Sequence, residues 1–220
     1  MAYIDFLSSV HKRTTRDYLG RVNEFPKAEA AKLAKKFDVE YWDGDRKTGY
    51  GGYRYDGRWR TVADAIVKHY GLKAGDRILD VGCGKGFLLY DLSQAAPSIE
   101  VSGLDISNFA IEKAKEEVRP YLRVGHANAL PFEDRSFDLV ISITTLHNLQ
   151  CFDLDRALRE IERVGRSHKY IVVESYRTEE EKANLLYWQL TCESFYRPDA
   201  WEWWFRQTGY TGDWSFIYFE

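Results

Sequence analysis

Apolar runs and polar breaks alternate regularly through the middle of this chain. Residues 77–81, RILDV, form a short apolar run that stops at Gly82, and FLLYDLSQAA follows with its apolar positions at helical spacing. The same alternation continues, predicting strands near 77–82, 100–105, 121–125, 137–143 and 169–175 and helices near 86–95, 107–117 and 153–164. Strands that alternate with helices in this way indicate an α/β fold. Upstream, Ile4, Leu7, Val10 and Tyr18 share one face of a helix expected over 3–21, Pro26 opens a second that reaches Phe37, and a third spans 61–70 and ends at Gly71. Downstream, Thr178 with Glu181 has the capping-box pattern that starts a helix running to about Leu190, and PDAWEWWFRQTGY after Arg197 supplies another. Beyond Gly209 only TGDWSFIYFE remains, enough for one terminal strand.

One stretch keeps neither period. Residues 41–60, YWDGDRKTGYGGYRYDGRWR, contain five glycines and six aromatics. Glycine frees the backbone and aromatic rings supply contact area, so the segment reads as a binding loop or lid. The chain therefore divides, within one domain over 1–220, into a helical cap with an aromatic lid (1–60) and an α/β core (61–220).

Composition narrows the class. A hydrophobic content of 45% in 220 residues suits one soluble globular core, and no run approaches the ~18 apolar residues that a membrane span needs. The first residues, MAYIDFLSSVHKR, lack a signal-peptide pattern, so a cytoplasmic location with no membrane partner is expected. Cys83, Cys151 and Cys192 are widely spaced and odd in number, which indicates neither a disulfide framework nor a metal site. The net charge of −3 argues against a general nucleic-acid surface. Residues 1–60 nevertheless hold 13 Lys and Arg against 9 Asp and Glu, so the positive charge gathers in the segment read as cap and lid.

The chemistry centres on Gly82, Gly84 and Gly86. Phe87 stands where a dinucleotide-binding GxGxxG loop has its third glycine, so a pyrophosphate cradle is not indicated and a nicotinamide oxidoreductase is disfavoured. Asp80, within the strand, would repel a pyrophosphate but suits an ammonium group. Asp105 ends the next strand 25 positions later, where a carboxylate accepts both hydroxyls of a ribose. With GHANALPF at 125–132 and SFDLVISITTLHNL at 136–149, this stretch resembles the class I S-adenosylmethionine-dependent methyltransferases. The resemblance implies a Rossmann-like sheet, S-adenosylmethionine as cofactor, and contacts to it from Asp80, Gly82, Gly84, Gly86, Asp105 and Ile106. It also implies an adenine site at Ala127, with His126 replacing the family's usual acidic residue and Asn128 as its alternative. The family closes its sheet with an antiparallel pair, so an abbreviated antiparallel edge is expected here. Tyr50 and Tyr53 of the lid are expected to close over the cofactor.

For catalysis the candidates are His147, just past the fourth strand, and Glu174, at the end of the fifth; either could accept a proton from the acceptor. TTRDYLGRV at 14–22, the 41–59 segment and the terminal WEWWFRQTGYTGDWSFIYFE resemble a bacterial methyltransferase group associated with surface-polysaccharide biosynthesis. That likeness implies a small anionic oxygen acceptor, such as a nucleotide-linked sugar or a phosphate or phosphoramidate group, for which Arg13, Arg16, Arg46, Lys47, Arg54 and Arg58 suit. Tyr176, Tyr196 and Trp201 are further candidates for the acceptor site. A small amine held by these aromatics and Glu174 is the second reading, and a non-catalytic cofactor-binding module the third.

Overall fold

The structure is a computed structural model that describes residues 1–11 and 16–220. Six strands, β1 (Arg77–Val81), β2 (Glu100–Asp105), β3 (Leu122–Val124), β4 (Phe137–Ile143), β5 (Gly165–Glu174) and β6 (Asp213–Ile217), form one sheet in the order β3-β2-β1-β4-β5-β6. Every pairing is parallel. The chain winds outward from β1 in one direction through β2 and β3, then in the other through β4, so a crevice opens at the C-terminal ends of β1 and β4.

Among the described residues four short helices, α1 (Ser8–His11), α2 (Tyr18–Glu24), α3 (Lys27–Ala34) and α4 (Val39–Trp42), precede the sheet. Those that follow are α5 (Arg60–Tyr70), α6 (Phe87–Ala95), α7 (Asn108–Glu112), α8 (Cys151–Val164), α9 (Glu179–Trp188) and α10 (Pro198–Thr208). Strand alternation divides the core in two. Ile78 of β1 joins Ile66, Leu88 and Leu92 of α5 and α6 on one face, while Leu79 and Val81 join Leu154, Leu158 and Phe205 of α8 and α10 on the other. Asp80 therefore shares the face of Ile78, close to the open end of the strand. Among the described residues no helix is long and apolar enough to cross a membrane.

The sheet edge departs from the expected antiparallel closure. β6 runs parallel to β5, with Tyr170 opposite Asp213 and Glu174 opposite Ile217. The reason is the crossover: α10 packs across the face that carries α8 and returns the chain to the starting end of the sheet, from which a strand can only run parallel. The outer edge of β6 is then taken by the N-terminus. Tyr3 bridges Trp214 in parallel, the Ile4 amide donates to the Trp214 carbonyl (2.9 Å), and the Trp214 amide donates to the Ala2 carbonyl (3.0 Å). These unpaired edge groups compete successfully with helix formation, so no single helix spans 3–21. Arg13 and the opening Thr14 and Thr15 of the TTRDYLGRV motif lie outside the described residues. The helix expected over 107–117 stops at Glu112, because the Lys115 amide turns away to the Lys85 carbonyl (3.1 Å) and a short 3₁₀ turn at Arg119–Tyr121 follows.

Gly86 caps α6 with φ of 71°, and a Cβ there would sit 2.9 Å from Val118 Cγ2 and 3.0 Å from Leu122 Cδ1. It thus fills the close-packing role that the third glycine plays in a dinucleotide loop, one residue earlier than in that motif. We predict that Gly86→Ala, which combines a left-handed backbone with crowding, destabilises the fold by about 2 kcal/mol or more. Urea unfolding measures this, and a loss below about 0.5 kcal/mol would mean that the 118–122 turn yields freely.

Candidate active site

Loops from four strands and the 37–59 segment line a partly open cavity of about 330 Å³ at the C-terminal edge of the sheet. Its floor comprises Asp80 near the end of β1 with Gly82, Cys83 and Gly84 beyond it, Asp105 at the end of β2 with Ile106 beyond it, Gly125, His126 and Ala127 after β3, and Thr144, Thr145 and Asn148 after β4. Phe37, Tyr41, Trp42, Tyr50, Tyr53, Arg58 and Trp59 cover it, and Leu7, Val10 and His11 close one side.

The floor is built around Asp105. One carboxylate oxygen accepts the Gly84 amide (2.8 Å) and the other the Ser107 amide (2.8 Å), while burial pushes its pKa up against these two bonds. Each oxygen keeps a lone-pair direction for a ligand hydroxyl. Gly82 has φ of 85°, and a Cβ there would fall 2.0 Å from Thr145 Oγ1, so the first glycine lets the β1 and β4 loops touch. Asp80 is 4% exposed and its Oδ1 is buried without a hydrogen-bond partner. Burial, reinforced by the charge of Asp105, pushes its pKa up to about 8. A buried carboxylate oxygen left open beside a cavity fits a donor or cation on the ligand.

The cover is fastened to this floor at two points. Trp42 shares its indole N–H between Ser107 Oγ (2.9 Å) and the Phe37 carbonyl (3.1 Å), and Ser107 Oγ donates to that same carbonyl. The Trp42 ring lies over Gly84, where a Cβ would come within 2.8 Å of it. Lys85, between the second and third glycines, is buried and pairs with Asp43 (2.6 Å) while donating to the Tyr53 carbonyl (2.9 Å). Above these ties Tyr53 stacks on Phe87 with centroids 5.0 Å apart, and Tyr50 stacks on Trp42 at 5.4 Å. Trp42, Lys85 and His11 were not among the candidates read from the sequence. The first two carried a signal, in the aromatic segment and between the motif glycines; His11 carried none.

The other predicted residues are dispersed. Ile106, His126 and Ala127 line the cavity, whereas Asn128 donates to Asp153 (2.6 Å). His147 and Glu174 come together one layer behind the wall, with His147 Nε2 3.4 Å from Glu174 Oε2 and His147 Nδ1 accepting the Glu174 amide at 3.4 Å. Burial drives the imidazole pKa down to about 3 and the carboxyl up to about 8, so both groups are largely neutral at pH 7 and their proximity is no ion pair. Gln189 donates to Glu174 Oε1, and Oε2 has no aligned donor. Neither side chain borders the cavity, although Thr145 and Asn148 around His147 do. Arg58 borders it but is clamped on Asp56 (2.6 Å), and Arg54 is exposed elsewhere.

Arg16 lies over Trp188 and Phe219 and meets His11 Nδ1 at 3.2 Å; His11 Nε2 in turn donates to the Tyr218 carbonyl (2.9 Å). Tyr176 is buried beside Lys182, and Trp201 is fully buried with its indole N–H on the Glu174 carbonyl (3.1 Å). Tyr196 packs on Trp201 with centroids 5.2 Å apart. These three belong to the packing of the sheet faces, because helical spacing in WEWWF turns Trp201 and Phe205 inward together. Among the described residues no cluster of three or more His, Cys, Asp or Glu is placed to hold a metal.

The composition of the floor suits S-adenosylmethionine: a carboxylate for the ribose at Asp105, an open carboxylate oxygen at Asp80, and a glycine turn that leaves backbone accessible. Known proteins agree. Demethylmenaquinone methyltransferase of Symbiobacterium thermophilum is 38% identical over 116 residues, a match that covers 49% of this chain and 45% of that protein. The chain thus spans less than half the length of that relative. A putative methyltransferase solved with the Haloferax volcanii Trm112 activator superposes with a TM-score of 0.54 at 25% identity, covering 70% of this chain and 73% of that one. The [4+2]-cyclase SpnF shares the fold, with a TM-score of 0.56 at 21% identity over 77% of this chain and 61% of its own. The methyltransferase-domain family profile matches residues 72–209, from the turn before β1 to the end of α10, and the chain belongs to this family of class I S-adenosylmethionine-dependent methyltransferases.

Proposed function

We propose that the protein transfers a methyl group from S-adenosylmethionine to an oxygen of a small, negatively charged acceptor. The cover that the 37–59 segment lays over the cavity carries this reading, since a partly open site of about 330 Å³ beneath fastened aromatics suits a small molecule rather than a polymer. When bound, the cofactor supplies an electrophilic methyl on a sulfonium. The chain's own work is to hold and to exclude: an ionised acceptor oxygen has no proton to lose, and a hydroxyl would pass its proton to the acceptor's own anionic group or to water. Asp105 takes the ribose hydroxyls, the Gly82–Gly84 backbone and Asp80 hold the amino-acid end, and Ala127 with His126 borders the adenine. Tyr50, Tyr53 and Trp42 keep water away, and fixing donor and acceptor in line supplies much of the rate.

In this reading His147 and Glu174 are positioning residues. The His147 carbonyl accepts the Glu193 and Ser194 amides (both 2.9 Å), which secures the loop that presents Thr145 and Asn148 to the cavity. The surface-polysaccharide setting is supported only by the sequence likeness of the end segments. The family match leaves residues 1–71 outside it, and these residues supply most of the cover. The amine reading is less favoured, because it needs Tyr196 and Trp201 at the acceptor.

Incubation with methyl-labelled S-adenosylmethionine and a panel of sugar phosphates, nucleotide sugars and amines tests the assignment. Label should enter a phosphorylated or otherwise anionic hydroxyl compound, and label found only in amines or in macromolecules would overturn it. Asp80 gives a second measurement. Its pKa near 8 in the free protein falls when a cationic group binds beside it, so binding at pH 6.5 should release protons. Calorimetry in buffers of different ionisation enthalpy counts them, and Asp80→Asn should abolish the release. His147→Gln, finally, should lower kcat and cofactor affinity together and leave the rate profile between pH 5 and 8 unchanged in shape, because the imidazole stays neutral above about pH 3. An ionisation near 6.5 that vanishes in the variant would restore His147 as a general base.

A further inference from the structure

Three guanidinium groups from separate segments crowd one indole. The guanidinium carbons of Arg16, Arg21 and Arg46 stand 5.5, 4.6 and 5.2 Å from the ring centroid of Trp188. Arg21 donates Nε to the Trp188 carbonyl (2.8 Å) and Nη1 to the Arg46 carbonyl (2.9 Å), and Arg46 donates Nη1 to the Tyr50 carbonyl (3.0 Å). Among the described residues neither Arg21 nor Arg46 has a carboxylate at ion-pair distance. A guanidinium carries five N–H donors, so each of the two keeps several beyond its bonds to carbonyls.

Structural roles account for part of this cluster. Trp188 ends α9, whose terminal carbonyls attract one cation, and the indole face attracts another. Three exceed that need, and like charges at this spacing repel. Burial first and the charge of Arg46 second draw the Arg21 pKa down to about 10, and Lys27 is lowered by burial and then by Arg21. Glu174, a carboxylate that acts on Arg16, is itself pushed up to about 8 and offers little countercharge at neutral pH. The cluster adjoins the cavity through two wall residues: Tyr50, whose carbonyl holds Arg46, and His11, whose ring meets Arg16.

We propose that Arg21 and Arg46, stacked on Trp188 with Arg16 beside them, form a binding site for a compact oxyanion of the phosphate or phosphate-ester class. It seats the negative group of the acceptor, an assignment that rests on the acceptor reading above. Arg46 belongs to the cover and Arg21 to α2, so a bridging oxyanion reinforces the tie that Arg21 already makes between the cover and α9.

Titration of the full chain with inorganic phosphate, at ionic strength held constant with chloride, tests the site by calorimetry and thermal unfolding. Phosphate should bind saturably. Arg21→Gln and Arg46→Gln should each weaken it at least tenfold, with S-adenosylmethionine affinity changed less than twofold and Arg206→Gln on α10 without effect. Phosphate should also inhibit transfer to the anionic acceptor competitively. Should Arg21→Gln fail to fold, the exposed Arg46 carries the test. Stabilisation matched by chloride, or binding indifferent to both substitutions, overturns the site while leaving methyl transfer standing. Arginine-dependent binding that never slows transfer overturns its assignment to the acceptor. Failure of the unaltered protein to bind S-adenosylmethionine would instead sink the methyltransferase reading.

Discussion

Asp105 sets the geometry on which the site depends. Its two oxygens accept amides from loops that follow different strands, so β1 and β2 must end at matching heights for both bonds to form. The parallel register of Val81 with Leu104 delivers this, and the Gly82 amide on the Leu104 carbonyl (2.7 Å) continues the ladder into the turn. From Ser107 the connection extends upward, since its hydroxyl caps α7 at the Ala110 amide (3.0 Å) and also holds Trp42. Floor and cover thus hang from one carboxylate and its neighbour, and a slip of one residue between β1 and β2 would dismantle both.

The same region holds more buried carboxyl groups than its own cations could balance if all were ionised. Asp80, Asp105 and Glu174 are all buried, and burial raises the pKa of each. Lys85 is buried close by but is committed to Asp43 and the Tyr53 carbonyl, so it secures the cover rather than neutralising the floor. An uncompensated buried carboxylate costs stability in the free protein, and a ligand that brings a positive group recovers it as binding energy. The arginine cluster on Trp188 is the opposite case at the other side of the cavity. A carboxyl whose ionisation burial opposes and guanidiniums crowded on one ring are each placed where a ligand of complementary charge can relieve them.

Much of the fold was legible in the chain, because β1 and β4 are buried on both faces and therefore read as largely apolar runs with sharp ends. Asp80, the glycines and Asp105 were legible for the same reason: the break in each run is where the chemistry sits. The start of β5 was not, since Arg166, Ser167 and His168 are exposed and polar. The parallel edge was hidden because strand direction depends on where α10 lays the chain down, and that is a property of packing. The acceptor residues proved hardest to place. Trp201 and Tyr196 looked like pocket aromatics by type but serve the core, while His11 entered the wall through a tertiary contact that no local pattern announces.

Core and cover consequently carry different kinds of information. The matched region, residues 72–209, supplies the Asp80, glycine-loop and Asp105 floor, whose demands are the same for any acceptor that uses this cofactor. Residues 1–59 supply Leu7, Val10, His11 and the aromatic roof, and through Arg16, Arg21 and Arg46 the positive charge. Their hold on the core combines polar ties, among them one shared indole N–H, one buried ammonium and one short bridge at the β6 edge, with apolar packing: Leu7 is buried in the core, and Tyr53 stacks on Phe87. No residue of this segment takes part in the pairing of β1 with β2, so the cover can be replaced without disturbing the register that positions Asp105. Selectivity for the acceptor can then change while the cofactor site stays intact, which is why likeness in the core identifies the family and leaves the acceptor to be read from the N-terminal residues.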